Sequence, residues 1–297
     1  MNNENTFLGF FNLDKSEWKK IAKRSVILCG FPYEGEKETP KGAKDSPNII
    51  RDYSTYTSGV SCSFDIAKTL QEYYDIGNID LSSTESLDDL KELWNIVYST
   101  GSILIALGGD HLVSYFPLKT ANICKDSAVI WLDAHADLAD EYPENVFRSH
   151  ATVFNNLIKE GKVNPKHMLL IGGHAFTQSP YEYDMIQTNE VNYISTEEII
   201  ENKEEAMKKV KAFVSDFNKI YLSIDLDILD QSYAPTLSVP EPFGLSPYQL
   251  TELVKVFLPK IQYIDIVETR ITEEDKSVLR IVTALLFKIL ESLSKQQ

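Results

Sequence analysis

Short, continuous apolar runs recur along the chain at 26–31, 73–76, 103–107, 128–132, 168–171, 219–224 and 263–267. They are rich in valine, isoleucine and leucine and show no polar alternation, as expected of strands buried on both faces of a parallel sheet. Between them, apolar residues return at three- and four-residue spacing, the period of a helix with one buried face. Leu87, Leu90, Trp94 and Val97 form one such stripe; Leu250, Leu253, Val254 and Phe257 form a second; Val278, Ile281, Val282, Leu285, Leu286 and Ile289 form a third. Ser195 and Glu198 have the spacing of a capping box and predict a helix start. This alternation predicts an α/β fold: a single three-layer α/β/α domain over 1–297 with a mostly parallel sheet and helices on both sides. The longest irregular stretch, 32–47, holds Pro32, Gly35, Pro40, Gly42 and Pro47; loops that long in compact domains are often functional.

Composition narrows the function classes. With 297 residues and 43% hydrophobic content the chain can bury a sizeable core. No apolar run approaches the ~20 residues of a membrane span. The first residues, Met1 to Leu13, lack the basic start and apolar centre of a secretory signal, so a cytoplasmic location is expected. Cys29, Cys62 and Cys124 are too scattered for a disulfide framework or a zinc pattern. A net charge of -15 argues against nucleic acid or an anionic membrane as partner and is compatible with a cationic substrate.

The candidate chemistry lies just past three of the predicted strands. Asp133-Ala134-His135-Ala136-Asp137 follows the run 128–132, Ser223-Ile224-Asp225-Leu226-Asp227 ends the run 219–224, and Gly108-Gly109-Asp110-His111 follows 103–107. If the chain stays extended, Asp133, His135 and Asp137 face one way, as do Asp225 and Asp227. Carboxyl ends of strands are where ligands collect in open α/β sheets. Each cluster alone has an ordinary explanation as a turn or a helix cap. Together they bring several carboxylates and two imidazoles to one place, where mutual repulsion would force protons onto some of the acids unless cations neutralised them. A set rich in oxygen, with imidazole and no thiolate, suits Mn²⁺, although zinc, cobalt, nickel or iron are also compatible with such donors.

These three segments resemble the signatures of the ureohydrolases, the family of arginases and agmatinases. The likeness extends over nearly the whole chain, through Gly30-Phe31-Pro32-Tyr33-Glu34-Gly35, Gly42-Ala43, Pro47 with Ile50-Arg51, Pro240-Glu241-Pro242-Phe243-Gly244-Leu245 and Asp265-Ile266-Val267-Glu268. The resemblance implies two Mn²⁺ per chain, one held by His111, Asp133, Asp137 and Asp225, the other by Asp133, His135, Asp225 and Asp227. It implies a hydroxide between the metals that attacks a guanidinium carbon and releases urea. It also implies that Glu268 pairs with the guanidinium, that Asp137 handles the proton, and that His150 in Ser149-His150-Ala151-Thr152 shuttles protons or contacts substrate. A homo-oligomer, trimer or hexamer, is implied as well.

Substrate choice rests on the loop from Leu138 to Ser149. It lacks the Asn-Thr-Pro-like pattern with which arginases meet an amino acid, and resembles agmatinases instead. Asp140, Glu141 and Glu144 suit a substrate with a distal cation and no carboxylate, although Arg148 in the same loop opposes them. Agmatine is therefore the expected substrate, with putrescine and urea as products; an arginase, an aminopropyl-agmatine or guanidino-acid hydrolase and a non-catalytic metal-binding homologue are the alternatives. The chain departs from the family pattern at Gln231, at Thr236 and over 269–275. Thr236 stands where relatives carry glycine, which predicts a different loop path there. His174, after a predicted strand, is a possible pocket residue, whereas His167 reads as a surface turn residue.

Overall fold

The computed structural model describes residues 6–35, 40–69, 72–83, 85–189 and 191–296. The irregular stretch 32–47 therefore falls partly outside the described residues, at 36–39. A sheet of nine strands runs through the molecule: β1 (Phe11–Asn12), β2 (Val26–Gly30), β3 (Tyr73–Asn78), β4 (Ile103–Leu107), β5 (Ser127–Asp133), β6 (Met168–Gly172), β7 (Asn192–Ser195), β8 (Lys219–Asp225) and β9 (Ile261–Val267). Their order is β1-β3-β2-β4-β9-β8-β5-β6-β7, and every ladder between them is parallel.

All seven predicted strands are present, with ends moved by a few residues. The pattern missed β1 and β7, the two edge strands. Both are short, and only Ile194 in β7 is buried, so neither leaves a hydrophobic signature.

The helices are α1 (Ser46–Ser54), α2 (Glu85–Thr100), α3 (Tyr115–Thr120), α4 (Val153–Lys159), α5 (Pro180–Asn189), α6 (Thr196–Glu201), α7 (Lys203–Ser215), α8 (Pro247–Phe257) and α9 (Ser277–Ser294). They cover both faces, giving the three expected layers. Leu28, Ile105, Ile130, Leu222 and Ile264 face one core with α1, α6, α7, α8 and α9. Ile27, Leu104, Trp131, Tyr221 and Tyr263 face the other with α2, α3 and α4. Burial on both faces is why the strands read as continuous apolar runs. The Ser195–Glu198 capping box closes in both directions at the start of α6. Arg51, one of the residues carrying the family likeness, is buried in α1. It grips Asp75 of β3 through Nε at 2.8 Å and Nη2 at 2.9 Å, which joins a helix to the sheet rather than to the candidate site.

A candidate metal centre at four adjacent strand ends

The strands β4, β9, β8 and β5 are neighbours in the sheet, and the residues just past their carboxyl ends meet in one place. After β4 the chain turns through Gly108 and Gly109. A Cβ on Gly109 would lie 1.8 Å from the Tyr33 carbonyl oxygen, so only glycine lets the turn pass. The Gly109 carbonyl accepts the N–H of Glu268 at 2.8 Å, and the chain enters a 3-10 turn, His111–Ser114. The His111 N–H in turn donates to Glu268 Oε1 at 3.1 Å.

Asp133 is the last residue of β5, and the extended geometry expected beyond it is not kept. The chain bends at Ala134 and His135, and Asp137 sits at φ 52. The three side chains converge because the segment folds back, not because a strand alternates. Asp133 Oδ1 accepts the His135 N–H at 2.6 Å. The Gln178 amide bridges the loop, accepting from Ala136 N at 3.0 Å and donating to the Ala134 carbonyl at 3.0 Å. Gly172, at φ 130, lets the neighbouring strand end come close: a Cβ there would lie 2.0 Å from the Asp133 carbonyl oxygen. The second aspartate pair is likewise not extended. Asp225 ends β8 and caps a 3-10 turn, Leu226–Ile228, accepting the Asp227 N–H at 2.9 Å. Asp227 Oδ1 then takes the Ala134 N–H at 2.9 Å, tying the β8 end to the β5 end.

The expected ligand residues come together in two groups that share Asp133. His111 Nδ1 lies 3.0 Å from Asp133 Oδ2, 2.8 Å from Asp137 Oδ2 and 3.3 Å from Asp225 Oδ2. His135 Nδ1 lies 2.8 Å from Asp227 Oδ2 and 3.5 Å from Asp133 Oδ1. His111 with Asp133 and Asp137, and Asp133 with His135 and Asp227, are each compact enough for one ion. Asp225 borders the first group. His111 Nδ1 and Asp133 Oδ2 are buried without a hydrogen bond although they face each other, as fits atoms directed at a cation.

The electrostatics agree. Burial, with Asp133 beside them, lifts the Asp137 carboxyl to about 8 and that of Asp227 to about 6. Burial, then Asp227 and Asp133, raise Asp225 well above the usual range. Burial opposes charge on both imidazoles, yet Asp137 beside His111 and Asp227 beside His135 hold them well above the histidine range. Burial also works against ionised Asp133, but the two histidines keep its carboxyl below the usual range. Bound cations would relieve the repulsion and replace these protons.

Above the cluster opens a cavity of about 480 Å³. His111, His135, Asp137, Asp225, Asp227 and Glu268 line its base, and Asp140, Glu141, Tyr142, His150, Tyr181 and Glu182 line the walls. His150 faces Tyr142 edge-on at 5.5 Å between ring centroids. Glu268, buried and at φ 54, presents its carboxylate there. Among the described residues no lysine or arginine lines the cavity. Arg148, the opposing charge in the loop, turns away: its guanidinium sits 4.8 Å from the Tyr115 ring centroid and 3.7 Å from Glu160.

The three loop acids are not equivalent. Glu144 is not in the lining, and Asp140 pairs with Lys159, which leaves Glu141 as the wall acid of the predicted trio that makes no ion pair among the described residues. Glu182, not singled out from sequence, joins it in the wall. It is the N3 residue of a capping pair with Ser179, so its sequence signal is that of a helix start. His174 is not among the lining residues; its Nδ1 lies 3.0 Å from Thr196 Oγ1, and burial lowers its pKa. His167 is half-buried against Phe217, remote from the cluster in the fold. Thr236 needs no positive φ; its carbonyl accepts from Arg270 Nη1 at 2.9 Å, so the departures at 236 and at 269–275 meet in one contact. Gln231 donates its N–H to the Glu241 carbonyl at 2.8 Å, closing the same loop.

Known proteins resemble this chain in sequence and in fold. The chain is 29% identical over 262 residues to formimidoylglutamase of Bacillus subtilis, covering 84% of this chain and 81% of that protein. It is 28% identical over 238 residues to guanidinopropionase of Pseudomonas aeruginosa, covering 79% and 75%. In fold it matches the crystal structure of the Bacillus subtilis formimidoylglutamase with a TM-score of 0.83 at 24% identity, over 99% of this chain and 94% of that one. It matches the agmatine ureohydrolase of Thermoplasma volcanium with a TM-score of 0.76 at 23% identity, over 92% and 91%. No helix among the described residues is long and apolar enough to cross a membrane. The family model described as "Arginase family" matches residues 24–290, which span the clusters at all four strand ends, and the chain belongs to that family of hydrolases.

Proposed function

We propose that the protein hydrolyses a cationic guanidino compound at a centre of two manganese ions, with agmatine as substrate and putrescine and urea as products. The observation that carries this reading is the cavity wall. It holds Glu141 and Glu182 above the aspartate cluster and Glu268 and, among the described residues, no lysine or arginine. Among the described residues, a substrate ending in a carboxylate would meet no lysine or arginine there and only His150 as a basic group of the wall; one ending in an ammonium group would meet acids and the rings of Tyr142 and Tyr181. This supports a substrate with a cationic end over the guanidino acids and formimidoylglutamate for which some relatives are named.

Divalent cations at the cluster would supply a nucleophile near neutral pH by lowering the pKa of water. His111, Asp133, His135, Asp137, Asp225 and Asp227 would hold them. Glu268 accepts the guanidinium N–H groups and orients the planar carbon over the base of the cavity. Asp137 collects the proton released as that carbon becomes tetrahedral and passes it toward the departing amine. His150, on the wall beside Tyr142, is placed to hold a proton or contact the substrate chain. Burial of the acids at the base of the cavity strengthens each of these charge contacts.

The cavity lies in the range that accommodates drug-sized ligands, more room than agmatine requires. Aminopropyl-agmatine, longer and with a further cationic nitrogen, is the second reading on that observation.

The test is urea release after Mn²⁺ loading, with agmatine, aminopropyl-agmatine, guanidinobutyrate, guanidinopropionate and arginine side by side, and formamide release from formimidoylglutamate. Preference for a substrate bearing a carboxylate would sink the agmatine assignment. Urea release undiminished in Asp133→Asn would sink the two-metal reading.

A further inference from the structure

Behind the metal-facing side of His111 lies a chain of buried polar groups that the proposed chemistry does not use. His111 Nε2 is 2.9 Å from Ser223 Oγ, and Ser223 Oγ donates to Asp265 Oδ1 at 2.5 Å. Ser114 Oγ closes on Ser223 Oγ at 3.2 Å. All four residues are buried, Asp265 and Ser114 completely. The sheet itself builds the chain: Ser223 of β8 and Asp265 of β9 are register partners, and Ser223 pairs on its other side with Trp131 of β5. On the same face, the core around them is made of Tyr221, Tyr263, Trp94 and Trp131. A serine and a carboxylate in that setting are costly unless they hold something.

The direction of the hydrogen bonds follows from donor and acceptor capacity. Asp265 Oδ1 accepts, so the Ser223 hydroxyl proton points to it. The Ser223 oxygen then offers its lone pairs toward His111, and Nε2 must carry the ring proton. A neutral imidazole protonated at Nε2 keeps its lone pair on Nδ1, the atom that faces Asp133, Asp137 and Asp225. Phe154, edge-on to the ring at 5.4 Å between centroids, prevents the imidazole from swinging away.

We infer that Ser223 and Asp265 are positioning residues that fix the tautomer and orientation of His111 for a metal ion. Metal-bound histidines commonly donate their second N–H to a carboxylate or carbonyl; here a serine stands between ring and carboxylate. The inference rests on the proposed manganese centre. The competing explanation is that Ser223 and Asp265 merely satisfy each other inside the core, in which case their loss affects stability and leaves metal binding alone.

The experiment is an Mn²⁺ titration of the metal-stripped full chain, followed by the EPR signal of free Mn²⁺, with thermal melts of the metal-free proteins alongside. Ser223→Ala is expected to weaken one class of Mn²⁺ sites by roughly ten- to a hundredfold. Ser223→Thr, which restores a hydroxyl, is expected to stay within about threefold of wild type, and Asp265→Asn to fall between them. Wild-type affinity in Ser223→Ala overturns the inference, as does an equal loss in Ser223→Thr. If Ser223→Ala does not fold, Asp265→Asn carries the test, and unchanged affinity there overturns it. A wild-type chain that binds no Mn²⁺ removes the manganese centre and the inference together, which distinguishes that failure from loss of the relay alone.

Discussion

Asp137 and Glu268 adopt left-handed backbone conformations, at φ 52 and 54, in a region that non-glycine residues seldom occupy. Each such residue costs on the order of 1–3 kcal/mol and persists only where its surroundings hold it. The holding contacts are visible: the Asp137 carbonyl accepts from Phe154 N at 3.1 Å, and Glu268 is bonded through its N–H to Gly109 and through its carbonyl to Arg270 N at 2.8 Å. Strain at these two positions aims two carboxylates into one cavity. On the proposed reading, Glu268→Gln removes a charge-assisted contact to the guanidinium, and kcat/KM for urea release should fall roughly 10- to 100-fold. Mn²⁺ stoichiometry should stay as in wild type; kinetics unaltered by the change would place Glu268 away from the substrate. Gly109→Ala tests the seat itself. With the Tyr33 carbonyl 1.8 Å from the new methyl, the turn must shift, taking both His111 and the Gly109 bond to Glu268 with it. Lower Mn²⁺ affinity together with a lower melting temperature is expected; a variant that binds and melts like wild type would show the turn to be slack.

Among elements, the site depends on what happens one to four residues beyond a strand. The apolar runs mark β4, β5, β8 and β9 because buried parallel strands have no polar alternation, and the residues that follow are visibly chemical. How they converge was not legible. Extended geometry would have set Asp133, His135 and Asp137 in a row, whereas a bend after Asp133 and a 3-10 turn after Asp225 fold both segments inward. The bend after Asp133 is held by a local bond from His135 N to Asp133 and by backbone bonds to Asp227 and Gln178, which lie far away in the chain. The long helix α9 shows a different dependence on charge. Glu291 is buried among Lys288, Lys295 and Ser63, and the two lysines hold its carboxyl down to about 2. Because the folded value lies below the ordinary one, this stabilisation is present above about pH 4.5 and is lost as pH falls through about 2. The lysines are about half exposed, so on the order of 1 kcal/mol is involved. Glu291→Gln should therefore lower stability near neutral pH, and denaturant melts should show the gap closing on acidification. A gap that persists at low pH would mean packing, not charge, is responsible.

For the molecule as a whole, four neighbouring strands converge on one acidic cluster, so a bound cation would link β4, β5 and β8 directly. A ligand that binds only the folded state stabilises it in proportion to the logarithm of its concentration over Kd. Stripping metal with a chelator should lower the melting temperature by roughly 5 °C or more and abolish urea release, and Mn²⁺ should restore both. Scanning calorimetry of stripped and reloaded protein measures the first, a urea assay the second. A melting temperature indifferent to Mn²⁺ would count against a metal centre built into the fold.

By itself the sequence determined the parallel α/β architecture, because two-sided burial writes itself as continuous apolar runs, and it pointed to the clustered acids and imidazoles, because three such groups past strand ends of one chain are hard to explain together as turns or caps. It could not show β1 or β7, whose pairing is made by the neighbouring strand and not by their own side chains. Nor could it show that Arg148 turns onto Tyr115, that Asp140 pairs with Lys159, or that Glu182 joins the wall, since each depends on a partner distant in the chain or in another layer. Ser223 and Asp265 were in plain sight within the quoted motifs, but only the register of β8 against β9 makes them neighbours of each other and of His111. The donors are set by the chain; their convergence is set by strand order and by the turns that tertiary contacts impose.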